Sequence, residues 1–223
     1  MEWFKNLIKK YYDYYFSQEE VIVTKEDHYN NKYPKSNLTY IRNETDQKYD
    51  VDLRFFINYY SVLSGVPKLK VVTDDEKVLE GLKWIIKNIR YAADTKSYDK
   101  AEYWAYDYQT IKRRRGDCED GAILLYNILL RNGVPYWKLR LTAGDTPYDG
   151  HAYLVYYVES KDKWVTLDWC YFPNELVVED RVDYKEDKLY GDVWFSWNEK
   201  YCFSEGLNVQ AIKILEGGQN DID

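Results

Sequence analysis

Residues 113–131 read Arg-Arg-Arg-Gly-Asp-Cys-Glu-Asp-Gly-Ala-Ile-Leu-Leu-Tyr-Asn-Ile-Leu-Leu-Arg and run on into Asn132-Gly133-Val134-Pro135. Gly116 frees the backbone for a tight turn. Asp117 is a good helix N-cap, and Asp120, three residues on, sits where a capping-box acid would. Ala122, Leu125, Ile128 and Leu129 then recur at helical spacing, and Asn132-Gly133 is a stop signal. The spacing therefore predicts a buried helix with Cys118 in its first turn. Free backbone N–H groups and the positive end of the helix dipole favour a thiolate there. Taken alone, Cys118 is also what a small packed core residue looks like.

A second pattern lies downstream. His151 opens a strand-like run, Gly150 to Val158, and a polar turn, Glu159 to Asp162, leads to a second run, Trp164 to Cys170. The midpoint between His151 and Asp168 falls inside that turn, so a hairpin folded there sets the two opposite each other. Directly opposed residues share a face, with Cβ atoms about 5 Å apart. Ala152, Leu154, Tyr156 and Val158 then point the other way, with Val165, Leu167 and Trp169. A nucleophile at a helix start and a His–Asp pair across two strands make the Cys-His-Asp arrangement of acyl-transfer enzymes.

Gly116-Asp117-Cys118-Glu119-Asp120, then Gly150-His151-Ala152-Tyr153, then Trp164 to Trp169 resemble the transglutaminase-like superfamily, and most closely the bacterial transglutaminase-like cysteine peptidases. Tyr103-Trp104 and Gln109-Thr110-Ile111 also resemble that family's lead-in, in which a Trp and an acidic residue precede the Gly-Asp-Cys. Gln109 stands at the acidic position, which is a departure. The similarity spans residues from about 72 to 172. It implies a papain-like cysteine protease core, with a nucleophile helix packed on an antiparallel sheet. It also implies a hydrolase or acyltransferase acting on peptide or glutamine-type amides through Cys118, His151, Asp168 and a thioester. The superfamily includes inactive members that bind peptide or act as scaffolds, and that is the alternative reading.

Composition narrows the function classes. The chain has 223 residues, a net charge of −7 and 45% hydrophobic residues, enough for one domain with a sizeable core. The charge argues against nucleic acid, and Arg113–Arg115 is the one dense positive cluster. Three cysteines without Cys-x-x-Cys spacing give neither a zinc ribbon nor a disulfide framework. A mixed site of Cys118, His151, Asp168 and Cys170 lacks the close ligand pairs on turns that zinc uses, so neither a metal nor any other cofactor is expected. The first ten residues lack a signal-peptide core and no run approaches a membrane span, which leads to an expectation of a cytoplasmic protein with no membrane partner. The 25 tyrosines and eight tryptophans read as a core built from aromatics.

Taken in order, Trp3, Phe4, Leu7, Ile8, Tyr11, Tyr12 and Tyr15 form a helical stripe over residues 2–16, suited to packing on the body or to self-association. Residues 20–24 suit a short strand. Residues 26–50 read as loop around His28, with one strand at Leu38–Ile41. Residues 53–63 suggest a helix ending at Gly65 and Pro67, and residues 74–89 another, capped by Thr73 or Asp74. A short helix over 107–114 leads to the Cys118 turn. Residues 137–142 alternate as a strand, and residues 174–191 form a charged surface loop. Val193–Trp197 and Lys200–Phe203 form a last hairpin, and residues 209–215 a last strand or turn. The expected organisation is α+β: an N-terminal helical extension over 1–70, a catalytic domain over 71–215 and a tail over 216–223.

In the expected chemistry His151 pairs with the Cys118 thiolate and Asp168 accepts from the other ring nitrogen. The backbone N–H of Cys118 is one oxyanion donor. Gln109, by its amide, and Trp104, by its indole N–H, are candidates for the second, and Asp117 borders the same cleft. The partner expected is a peptide or protein substrate.

Overall fold

The computed structural model describes residues 40–42, 50–52, 56–57, 66–200 and 202–203. The helix expected over 2–16, the strand over 20–24, most of the helix over 53–63, His28 and everything after residue 203 lie outside these. Strand β1 (Tyr40–Arg42) pairs antiparallel with β2 (Asp50–Asp52), so the polar stretch read mainly as loop carries a two-stranded ribbon.

Helix α1 (Asp74–Asn88) starts on a capping box. The Thr73 hydroxyl accepts from the Glu76 N–H at 3.2 Å, and the Glu76 carboxylate accepts from the Thr73 N–H at 3.0 Å. Two of the four N–H groups a helix start leaves open are thereby satisfied. Strand β3 (Arg90–Tyr91) and helices α2 (Asp94–Ser97) and α3 (Asp107–Arg113) follow. Arg114 ends α3 in the left-handed region at φ 54°, turning the chain into β4 (Arg115–Gly116). β3 and β4 pair in parallel, Arg90 against Arg115 and Tyr91 against Gly116. No alternation marks so short a pair in the sequence.

Helix α4 (Cys118–Arg131) is the centre of the fold. The sequence predicts one apolar stripe, yet every residue from Glu119 to Leu130 is buried. The reason is its position: α1 and α3 pack on one side and the main sheet on the other. Leu124, Leu125, Ile128 and Leu129 are fully enclosed, each worth about 1.5–3 kcal/mol of burial. Asp117 holds the N-cap position, but its side chain makes no capping bond, and the Asp120 carboxylate takes the Ala105 N–H at 2.7 Å instead. The expected capping box is therefore absent, because both acids belong to a buried cluster described below.

The sheet comprises β5 (Leu139–Asp145), β6 (Gly150–Val158), β7 (Lys163–Leu167), β8 (Val193–Trp197) and β9 (Cys202–Phe203). Its order is β7-β6-β5-β8-β9 and every pairing is antiparallel. Leu141, Leu154, Tyr156, Val165 and Leu167 face α4 in the main core. The architecture is the α+β one expected, the helix that starts at Cys118 packed on an antiparallel sheet.

The β6–β7 hairpin differs in register from the expected one. Its ladder runs from Leu154 opposite Leu167 to Val158 opposite Lys163, which carried onward sets His151 opposite Cys170 rather than Asp168. The turn is centred one residue later than expected, between Ser160 and Lys161: Glu159–Lys161 forms a helical turn and Asp162 takes φ 49°. A shift of two preserves the side-chain face. β7 ends at Leu167, and Asp168 reaches His151 diagonally from just past the ladder.

Candidate active site

His151 sits one residue into β6 with its side chain sealed from solvent. Its Nε2 bonds the Asp168 Oδ2 at 2.8 Å. A carboxylate can only accept, so the proton of this bond belongs on Nε2 and Nδ1 is the open nitrogen. Nδ1 has no hydrogen-bond partner. The Tyr171 ring lies over the imidazole at 4.0 Å and 4° from parallel, which fixes the plane of the ring.

Asp168 is held from all sides. Its Oδ1 accepts the N–H groups of Cys170 and Tyr171 at 2.9 and 3.2 Å, and its Oδ2 takes that of Phe172 at 3.2 Å. The Tyr190 hydroxyl also donates to Oδ2, at 3.2 Å. Burial alone would raise this carboxyl, but the His151 bond and charge and these N–H groups hold it below the ordinary aspartate value. Tyr190 lies in the segment read as a surface loop. It is buried against Tyr153 and Phe172, and nothing local in a charged run signals it.

Cys118 is half-buried at the start of α4. The indole N–H of Trp169, next to Asp168, donates to the Cys118 carbonyl at 3.1 Å. That contact needs Gly121, since a Cβ there would lie 2.2 Å from the indole ring. The Ala152 N–H, next to His151, faces the thiol, so both sides of the hairpin meet the Cys118 turn. The thiol itself donates to Glu119 Oε2 at 3.1 Å, not to His151. Burial and the nearby Asp117 carboxylate push the thiol up to about 12, against the Ala152 and Glu119 bonds. The helix start does not by itself make a thiolate, because three acids crowd it.

Those acids form a group that the sequence reading missed. Asp94, Asp117 and Glu119 bring carboxylate oxygens within 4.8 Å of one another, all buried, with Asp120 beside them. One oxygen of each of the four has no partner. Burial and the Asp117 charge push Asp94 up to about 8, and burial and neighbouring charges raise Asp117, Glu119 and Asp120 as well. Four buried carboxyls with orphan oxygens call for protons or for a cation. An all-oxygen set suits a hard ion such as calcium, whose bonds of about 2.3–2.6 Å place ligand oxygens at such separations. The spacing Asp117-x-Glu119 was in view, but the third member, Asp94, is far off in sequence. His151, Asp168 and Cys170 also converge. Both oxygens of Asp168 are already engaged, so that group offers no comparable set of free ligands.

Gln109 and Trp104 are engaged elsewhere. The Gln109 amide caps α3, accepting from the Tyr106 N–H at 2.8 Å and donating to the Tyr103 hydroxyl at 2.9 Å. The Trp104 indole donates to Glu102 at 2.7 Å, and its ring packs on Phe56 and Trp197. Among the described residues no helix is long and apolar enough to cross a membrane.

Residues 67–168 match the family model of bacterial transglutaminase-like cysteine proteinases. No curated protein matches the chain. Among solved structures, Legionella pneumophila LapG is similar at 18% identity and a TM-score of 0.50, with 68% of this chain and 80% of that one covered. An EGTA-treated and a calcium-bound LapG score 0.49 and 0.47, also at 18% identity. These cover 66% and 65% of this chain and 80% and 79% of theirs. Over residues 67–168, a little under half of its length, the chain is thus similar to the bacterial transglutaminase-like cysteine proteinases, and its fold is similar to that of LapG.

Proposed function

We propose that the chain is a cysteine peptidase or amidase that works through Cys118, His151 and Asp168. The Cys118 thiol gives its proton to His151 Nδ1, and the sulfur attacks an amide carbonyl. The backbone N–H of Cys118 faces the developing oxyanion. His151 returns the proton to the leaving amine, and a thioester on Cys118 remains. Water, activated by His151, resolves it to the acid; an amine in place of water would make the same site an acyltransferase. Asp168 holds the imidazole in the tautomer with Nδ1 free and stabilises the imidazolium. The observation that carries this reading is the buried 2.8 Å His151–Asp168 bond with Nδ1 left open, on the strand whose next N–H, that of Ala152, faces the Cys118 thiol.

The same reading assigns the Asp94, Asp117 and Glu119 carboxylates to calcium or a similar hard cation. Bound there, such an ion supplies positive charge that lets the buried acids ionise. Glu119 would then be drawn to the cation, which would leave the Cys118 thiol to pair with His151. The orphan oxygens of this chain support the assignment. Digestion of a defined peptide library, read by mass spectrometry, tests both parts. Wild type with calcium should cleave, EGTA should suppress cleavage, and Cys118→Ala should abolish it. Absence of turnover on every peptide and amide would favour an inert binding module.

A further inference from the structure

Behind the nucleophile turn, Lys87, Arg90, Arg113, Arg114 and Arg115 line an open groove of about 550 Å³ with Ile86, Asn88 and Ile89. Among the described residues no carboxylate borders it. Arg90 and Arg115 are direct partners in the parallel β3–β4 register, where like charges repel. Among the described residues neither has an ion-pair partner. Two neighbours are already set in place: Arg113 donates to the Ser97 carbonyl at 2.7 Å and lies over Tyr98, and Arg114 lies over Trp84. The left-handed φ of 54° at Arg114 brings these side chains to one spot at some backbone cost.

We propose that this groove binds a small soluble anion carrying two or more adjacent phosphate groups. The size is that of a small-molecule site, roughly 300–1,000 Å³. A long polyanion meets a chain of net charge −7, whereas a compact one meets only the groove. An extended acidic peptide points successive carboxylates to opposite sides. A diphosphate concentrates its charge in one place and offers the oxygens that guanidinium forks bind. Such a ligand bridges Arg90 to Arg115 and removes their repulsion. The bridge matters to the site because β4 runs from Arg115 through Gly116 into Asp117 and Cys118. Tyr91 of β3 packs on Trp169 and Tyr171, 6.2 and 6.1 Å away between ring centres. The anion therefore firms the floor under the nucleophile turn. This binding does not depend on Cys118 being a nucleophile.

Calorimetric titration of the full chain with inorganic pyrophosphate, in EGTA and at ionic strength matched with chloride, tests the proposal. Sub-millimolar binding is expected, with a rise in Tm at saturation. Arg90→Gln and Arg115→Gln should each weaken binding roughly tenfold or more, the scale of one charge-assisted hydrogen bond. Without anion the double variant should melt no lower than wild type, because the like-charge pair is gone; this separates lost binding from lost folding. Pyrophosphate binding that is absent, or unchanged in the double variant, overturns the proposal. So does tighter binding of a poly-glutamate peptide, or of phosphatidylglycerol vesicles alone.

Discussion

At the scale of single residues, Asp168 is the side chain whose surroundings say most. Its two oxygens take five donors, and one of them is His151. Asp168→Asn keeps the shape but reverses one side of that arrangement, placing an amide N–H where donors already point. The variant should lose about 1–3 kcal/mol of stability and, by analogy with serine triads, about 10⁴-fold in kcat. Chemical denaturation and peptide turnover on the same preparation measure both. The pH dependence follows from the depressed carboxyl. A carboxyl whose folded value lies below its unfolded value of about 3.9 stabilises fully above that value, and loses the effect as pH falls through the folded one. The lead of wild type over Asp168→Asn should thus hold at pH 5–7 and shrink below about pH 4; a lead that grows on acidification would contradict the assignment. Tyr190→Phe removes one donor only and should cost about 0.5–1.5 kcal/mol, with a fall in kcat larger than any change in KM.

At the scale of elements, the junction between α4 and the segment after β7 controls where Cys118 points. Gly121 admits the Trp169 ring, and the Trp169 indole holds the Cys118 carbonyl. Gly121→Ala drives a methyl into that ring and should destabilise by about 1–3 kcal/mol. Trp169→Phe keeps most of the packing and loses the bond; it should melt near wild type yet cut turnover. Thermal melts and kinetics together distinguish the two effects. This junction also shows what the sequence revealed. The helix after Cys118, the strand opening at His151 and the hairpin through Glu159–Asp162 all follow from periodicity and turn chemistry. The register slipped by two because the turn's left-handed residue, Asp162, is not glycine and gave no signal. The face survived the slip, so His151 and Asp168 still meet. Asp117 and Asp120 read as caps by local rule, but contacts with distant Asp94 and Ala105 decide their roles, and no local pattern encodes those.

At the scale of the whole molecule, the chain stores four buried acids beside its proposed nucleophile, and a hard cation is what their chemistry fits. Calcium at about a hundred times its Kd should add about 2.7 kcal/mol, a rise of roughly 5–10 °C in Tm for a domain of this size. Asp94→Asn should lose most of that rise while retaining the fold. The central claim remains that His151 activates Cys118. The rate of iodoacetamide labelling at Cys118, resolved from Cys170 by peptide mass spectrometry at neutral pH in saturating calcium, tests it most directly. Wild type should label Cys118 at least about tenfold faster than Cys170, and His151→Ala should remove that advantage. Slow labelling of Cys118, equal in wild type and His151→Ala, would contradict the account.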